Sequence, residues 1–205
     1  MNKQEVFAMG EKAVGFTKTG MTNIIRELIQ FKKLMDKSNE VFFLTAGVCL
    51  GIVRDKALIE HDKDIDIGVL GEESLYRIEK KLSAYYDQAH ITGVENGKIL
   101  WLKKVINESI LIIEIQAHYI KNNYVYYNRD LGESWKKKDW NRKGRVVWDK
   151  KFFDTLKKVY FAGEYFNTPD FVGEFLTSFY GKDWGTPIKY VDWRYHCHNL
   201  FKDWW

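Results

Sequence analysis

The chain is expected to fold as an α+β domain, a small mixed β-sheet flanked by helices, and three observations predict it. Over residues 22–38, Ile24, Ile25, Leu28, Phe31, Leu34 and Met35 recur at spacings of three and four, as in an amphipathic helix. Residues 64–70 open on Asp64, Ile65, Asp66 and Ile67, an alternation of period two that marks a strand with one polar and one apolar face. Residues 98–106 and 109–120 are two further strand-like runs, with Asn107-Glu-Ser109 as the turn between them.

The remaining elements follow in order. Val41-Phe-Phe-Leu44 begins a buried strand over residues 41–46, and a short helix over 47–54 carries Gly47 and Gly51. Gly71 leads into a charged helix over 72–86 with Leu75, Ile78, Leu82 and Tyr85 inward. Residues 124–128 form another strand. Residues 130–151, with Lys136-Lys-Lys138, Arg142, Lys143 and Arg145 among three tryptophans, read as a solvated loop, the alternative being a loop that covers the site. Residues 157–167 make a hairpin turning at Ala162-Gly163. Thr168-Pro169-Asp170 then starts a helix, with Thr168 as N-cap and Pro169 at the first helical position, and Gly181 ends it.

Composition sets bounds on function. At 205 residues the chain is one domain, or one domain with extensions. A net charge of +4 suits an anionic nucleotide ligand but is too small to indicate nucleic-acid binding. Cys49 and Cys197 are too few for a disulfide framework, and His196, Cys197 and His198 diverge in direction whether helical or extended, so they do not make one metal site. The aromatic fraction of 16% is high, and most of these rings are expected in packing rather than against a sugar. The first residues lack an apolar signal-peptide core, and the apolar run from 41 to 53 is too short to span a bilayer. No transmembrane segment is expected, and the cytoplasm is the expected compartment.

The chemistry concentrates between residues 44 and 68. Asp64 and Asp66 point to one face of their strand, roughly 7 Å apart at Cα, and with Asp62 they form a repelling set of carboxylates. A hard divalent cation, Mg²⁺ or Mn²⁺, neutralises such a set with oxygen ligands. Just upstream, a strand, a tight turn at Gly47 and a short helix place backbone N–H groups near the acidic strand, a seat for phosphate. Arg54 can clamp a phosphate or one of the aspartates in bidentate fashion. Glu114 lies in the apolar run Ile110-Leu-Ile-Ile-Glu-Ile-Gln-Ala-His118, where a carboxylate must be paired, protonated or metal-bound. His118 reads as a satisfied strand-end histidine, with lining the cleft as its alternative.

Two blocks of this sequence resemble the LicD/fukutin-related family. The first is Thr45-Ala-Gly-Val-Cys-Leu-Gly-Ile-Val-Arg54 followed by Ile59-Glu-His-Asp-Lys-Asp-Ile-Asp-Ile67. The second, far downstream, is Leu156-Lys-Lys-Val-Tyr-Phe-Ala-Gly-Glu-Tyr-Phe-Asn-Thr-Pro169 with Phe179-Tyr-Gly-Lys-Asp-Trp-Gly-Thr-Pro187. The resemblance implies a nucleotidyltransferase-like fold over residues 22–190, preceded by an extension (1–21) and followed by an aromatic tail packing on the domain (191–205). It also implies transfer of a phosphorylated alcohol from a CDP-linked donor to a sugar hydroxyl of a glycan, releasing CMP. Asp64 and Asp66 would hold the metal. Asp62 would orient a second metal or accept the hydroxyl proton. Glu114, which matches the fold's third acidic position in order though not in residue type, would be ligand or base. Gly47 and Arg54 would hold phosphate oxygens. Val48 and His61 depart from the residues common in the family, and the donor stays open. Two other classes remain: a nucleotidyltransferase moving NMP from an NTP to a small-molecule hydroxyl, and a non-catalytic sugar- or nucleotide-binding module.

Overall fold

The computed structural model describes residues 18–107, 109–130, 143–188 and 197–201. Helix α1 spans Lys18–Lys37 and buries Ile24, Leu28, Phe31 and Met35, the stripe expected of it. Strand β1 is short, Phe43–Leu44, and leads into helix α2, Ala46–Asp55. Strand β2, Ile65–Leu70, is the acidic strand, and helix α3, Glu73–Leu82, follows with Leu75, Ile78 and Leu82 buried. Strands β3 (Gln88–Val94), β4 (Gly97–Ile106), β5 (Ser109–Lys121), β6 (Tyr124–Asp130) and β7 (Lys143–Asp149) then succeed one another. A separate hairpin, β8 (Leu156–Phe161) with β9 (Glu164–Pro169), precedes helix α4, Val172–Tyr180, and β10 is Leu200–Phe201.

Eight strands form one sheet in the order β1-β2-β5-β6-β7-β10, with β4 also paired to β5 and β3 to β4. The sheet is mixed because β2 and β5 are parallel while the other pairings are antiparallel. The chain between them crosses over through α3 and the β3–β4 hairpin, as a parallel pair requires. The predicted α+β class with a mixed sheet and flanking helices is what the structure shows.

Register decides which residues share a face. Asp66 pairs with Glu114, Gly68 with Gln116 and Leu70 with His118, so these six residues face one side. Ile65, Ile67, Val69, Ile113, Ile115 and Ala117 take the other side and are all fully buried. Pairing of Tyr119 with Tyr126 and Tyr127 with Val146 brings Tyr127, Arg129 and Trp148 to the same side as Glu114 and His118. Among the described residues, several aromatic rings are spent here on packing. Trp148 stacks on Phe175 (5.5 Å) and on Phe179 (5.9 Å), which fixes α4 against the sheet. Gly68 leaves room for the ring of Phe43, since a Cβ at that position would come within 2.1 Å of it.

Four sequence expectations are corrected. Val41, expected in a buried strand, and Tyr85, expected inward, are both exposed, the strand being confined to Phe43–Leu44 and the helix ending at Leu82. Residues 143–149 are strand β7, with Trp148 2% exposed, not part of a solvated loop; residues 131–142 lie outside the described residues. The helix after the hairpin begins at Val172 rather than at Thr168-Pro169-Asp170. Thr168 and Pro169 pair with Lys157 and Leu156, and Asp170 closes the turn by accepting from the Phe171 N–H and the Thr155 hydroxyl. Proline is tolerated at such a two-stranded edge, where its missing N–H removes no ladder bond. Gly181 does cap the helix, as expected. The expected extension (1–17 of it) and most of the aromatic tail lie outside the described residues.

Candidate active site

The acidic site forms where α2 starts against β2. Thr45 is extended, Ala46 takes a left-handed φ of 42°, and the chain then turns into the helix. That turn pins the helix start to the strand. The Thr45 N–H donates to the Asp66 carbonyl (3.4 Å), and the Gly47 N–H donates to Asp66 Oδ2 (3.3 Å). Asp62 approaches from the connection between α2 and β2, held by its own N–H on the Ile59 carbonyl (3.0 Å) and by the Lys63 N–H on its Oδ1 (3.1 Å). Its other oxygen passes so near Gly47 that a Cβ there would meet it at 2.1 Å. Glycine at 47 is therefore what lets Asp62 close on the site.

Asp62, Asp64 and Asp66 each present a carboxylate oxygen within 4.8 Å of the others. Packing three partly buried carboxylates this close disfavours their charged forms. Burial, with further repulsion from Glu114 and Asp62, pushes the Asp64 carboxyl up to about 7. Asp66 is raised well above the ordinary carboxylate range by burial and then by Asp64, Glu114 and Asp62. Asp62 is raised by burial, against the opposing hydrogen bond from Lys63. A divalent cation removes this repulsion, and all-oxygen carboxylate donors fit Mg²⁺ or Mn²⁺.

These groups line a cavity of about 320 Å³. Gly47, Arg54, His61 and Lys63 border it near the aspartates, Gln116, Tyr127 and Arg129 come from the sheet, and Leu50, Ile59, Phe179, Tyr180 and Ile188 make an apolar side. Arg54 reaches the cavity while holding Asp55 through Nε to Oδ1 (2.9 Å) and Nη2 to Oδ2 (2.7 Å), which lowers the Asp55 carboxyl. Glu114 is 2% exposed and stands beside Asp66, outside the group of three. Its Oε1 accepts from Arg129 Nη1 and from Gln116 Nε2, both at 2.6 Å.

Sequence reasoning named Asp62, Asp64, Asp66, Glu114, Gly47 and Arg54, and the structure brings all six to this region. It missed Arg129, Gln116, Tyr127 and Tyr180. The signal for Gln116 was the spacing of two along β5, which repeats the carboxylate face; Tyr127 and Arg129 reach that face only through the strand register. His118 does not line the cavity. It is buried among Phe43, Tyr127 and Trp148, with Nδ1 3.1 Å from the Gln116 carbonyl. Cys197 is buried with its Sγ 3.2 Å from Asn199 Oδ1, and His196 lies outside the described residues.

The domain described as LicD/FKTN/FKRP, nucleotidyltransferase domain, matches residues 39–170, which holds every one of the six named residues. The chain belongs to this family. It is 26% identical to the human ribitol-5-phosphate transferase FKTN over 193 residues, covering 92% of this chain and 38% of that protein. With the Macaca fascicularis protein of the same name it is 25% identical over 179 residues, covering 85% of this chain and 36% of that one. The chain thus spans well under half the length of these relatives. Among solved structures it is similar to ANT(2")-Ia in complex with adenylyl-2"-tobramycin, at a TM-score of 0.43 and 12% identity, covering 79% of this chain and 77% of that one. No helix among the described residues is long and apolar enough to cross a membrane.

Proposed function

We propose that this LicD-family protein is a metal-dependent phosphotransferase that moves a phosphorylated alcohol from a CDP-linked donor to a sugar hydroxyl of a glycan. The observation that carries the reading is the convergence of Asp62, Asp64 and Asp66 within 4.8 Å on the wall of a 320 Å³ cavity. The family's ribitol-5-phosphate transferases, to which the chain is similar over most of its length, support the substrate class.

In this reading the three aspartates hold Mg²⁺ or Mn²⁺, the metal neutralising charge on the donor's diphosphate as CMP departs. The start of α2, where Ala46 and Gly47 border the same cavity, would draw phosphate oxygens through the partial positive charge of a helix N-terminus, the Gly47 N–H itself being engaged by Asp66. Arg54 adds a planar cationic fork at the cavity edge. The acceptor hydroxyl attacks phosphorus, the bond to the CMP oxygen breaks, and the hydroxyl proton passes to a nearby base. The apolar side made by Leu50, Ile59, Phe179 and Tyr180 excludes water from the reacting groups.

The test is incubation with a panel of CDP-linked alcohols, Mg²⁺ and glycan acceptors, with CMP release as readout. CMP formation that needs both metal and acceptor, and that disappears in Asp66→Asn, is expected. Release of pyrophosphate from an NTP, with no CMP from any CDP-alcohol, would replace this reading by nucleotidyl transfer.

A further inference from the structure

The site holds a fourth carboxylate, Glu114, whose charge is already matched from within the protein. Glu114 is in register with Asp66 on the adjacent parallel strand, one strand spacing away. Where carboxylates from neighbouring strands are arranged to hold two metal ions, each ion draws on the acids at the strand boundary. Here Glu114 Oε1 instead accepts from Arg129 and Gln116 at 2.6 Å each. Arg129 borders the cavity, and its guanidinium is attracted by Asp66 as well as by Glu114.

We infer that Arg129 is the second cation of this site, so that the chain binds one divalent ion at Asp62, Asp64 and Asp66 and uses a fixed guanidinium where a second ion would otherwise neutralise Glu114. The inference rests on the metal-dependent reading above and narrows it. Its physical basis is competition. A second ion at Glu114 must displace two short hydrogen bonds and take one ion-pair partner from a partly buried guanidinium, an affinity penalty of roughly a hundredfold or more. A bound metal can exchange with solvent; Arg129 is tethered to β6 and cannot. Arg129 is thus a positioning residue that holds Glu114 in place and keeps a constant positive charge beside the metal.

The experiment counts Mn²⁺ per chain by electron paramagnetic resonance on the metal-stripped full protein, with frozen-solution spectra to detect coupling between paired ions. Wild type and Arg129→Lys are expected to bind one uncoupled Mn²⁺. Arg129→Met, purified with Mn²⁺ present, is expected to bind two coupled ions, because Glu114 is left without its cation. The double variant Glu114→Gln with Arg129→Met removes both charges together and should return to one. Two ions in the wild type would overturn the inference while leaving the three-aspartate site standing, as would a single ion in a folded Arg129→Met. No Mn²⁺ in the wild type would instead remove the metal-dependent reading itself. Should Arg129→Met fail to fold, the wild-type count and its coupling still decide between one ion and two.

Discussion

Asp64→Asn in metal-free protein tests whether the carboxylate cluster is strained as its geometry implies. Asp64 is displaced from 3.8 to about 7 by burial and by Glu114 and Asp62. That displacement is about 4 kcal/mol of unfavourable free energy for the charged form. The three aspartates are only partly buried, and solvent screening discounts that figure, so about 2 kcal/mol should emerge as stability. The sign follows from linkage. The folded value lies above the unfolded one, so below pH 4 the group is protonated in both states and contributes nothing. The penalty grows as pH rises from about 4 and is complete above 7. In chelator at pH 8, Asp64→Asn should therefore melt about 4–8 °C above wild type, and the difference should vanish at pH 4. Mg²⁺ at a hundred times its dissociation constant should stabilise wild type by about 2.7 kcal/mol and Asp64→Asn far less. A variant that melts below wild type at pH 8 without metal, or a difference that does not depend on pH, would refute the reasoning.

Two further outcomes are expected. Gly47→Ala puts a Cβ 2.1 Å from Asp62 Oδ2, and the cheapest relief is for that carboxylate to swing out of the cluster; Mn²⁺ affinity should drop roughly tenfold or more with little change in melting temperature, and unchanged affinity would show that Asp62 is not a ligand. His118 is pushed down to about 4 by burial, so its stabilising contribution is complete above its unfolded value of 6.5 and is lost as pH falls towards 4. The stability difference between wild type and His118→Phe, a ring that suits the aromatic surroundings, should change by about 3 kcal/mol between pH 7 and pH 4 in urea titrations, and a constant difference would place His118 in contact with water.

How much was legible in the sequence depended on whether a residue's role was local. Asp64 and Asp66 announce themselves because strand periodicity fixes their direction without reference to any other element. Glu114 was conspicuous for a thermodynamic reason: a charge in an apolar run demands a partner, and the structure supplies Arg129 and Gln116. The partner itself was invisible. Arg129 ends a strand beside a lysine-rich segment and looks like any solvated cation until the β5–β6–β7 register turns it inward. The same basic flank disguised β7, where Lys143 and Arg145 hide the buried positions Val146 and Trp148. Thr168-Pro169-Asp170 failed differently. The local signal for a helix start was sound, but the same residues were already committed to the β9 ladder and its closing turn, and tertiary pairing overrides a cap preference.

The arrangement of the sheet explains how the fold tolerates such a cluster of carboxylates. One side of β5 carries Glu114 and Gln116 at the acidic end and His118 at the aromatic end, two residues apart each time. The aromatic end is anchored by Trp148 between His118, Phe175 and Phe179, and that packing holds α4 in place. Because α4 brings Phe179 and Tyr180 to the cavity, the same packing that stabilises the fold also sets part of the cavity wall. Asp66 rides on β2 and Asp64 immediately precedes it, whereas Asp62 sits farther back in the connection, held by the Ile59 turn and the Lys63 N–H and given room by Gly47. Repulsion within the cluster therefore falls on its least anchored member. Metal binding should draw residues 56–63 in more than it moves any strand, giving a site whose rigid half is built in advance and whose third carboxylate closes when the charge arrives.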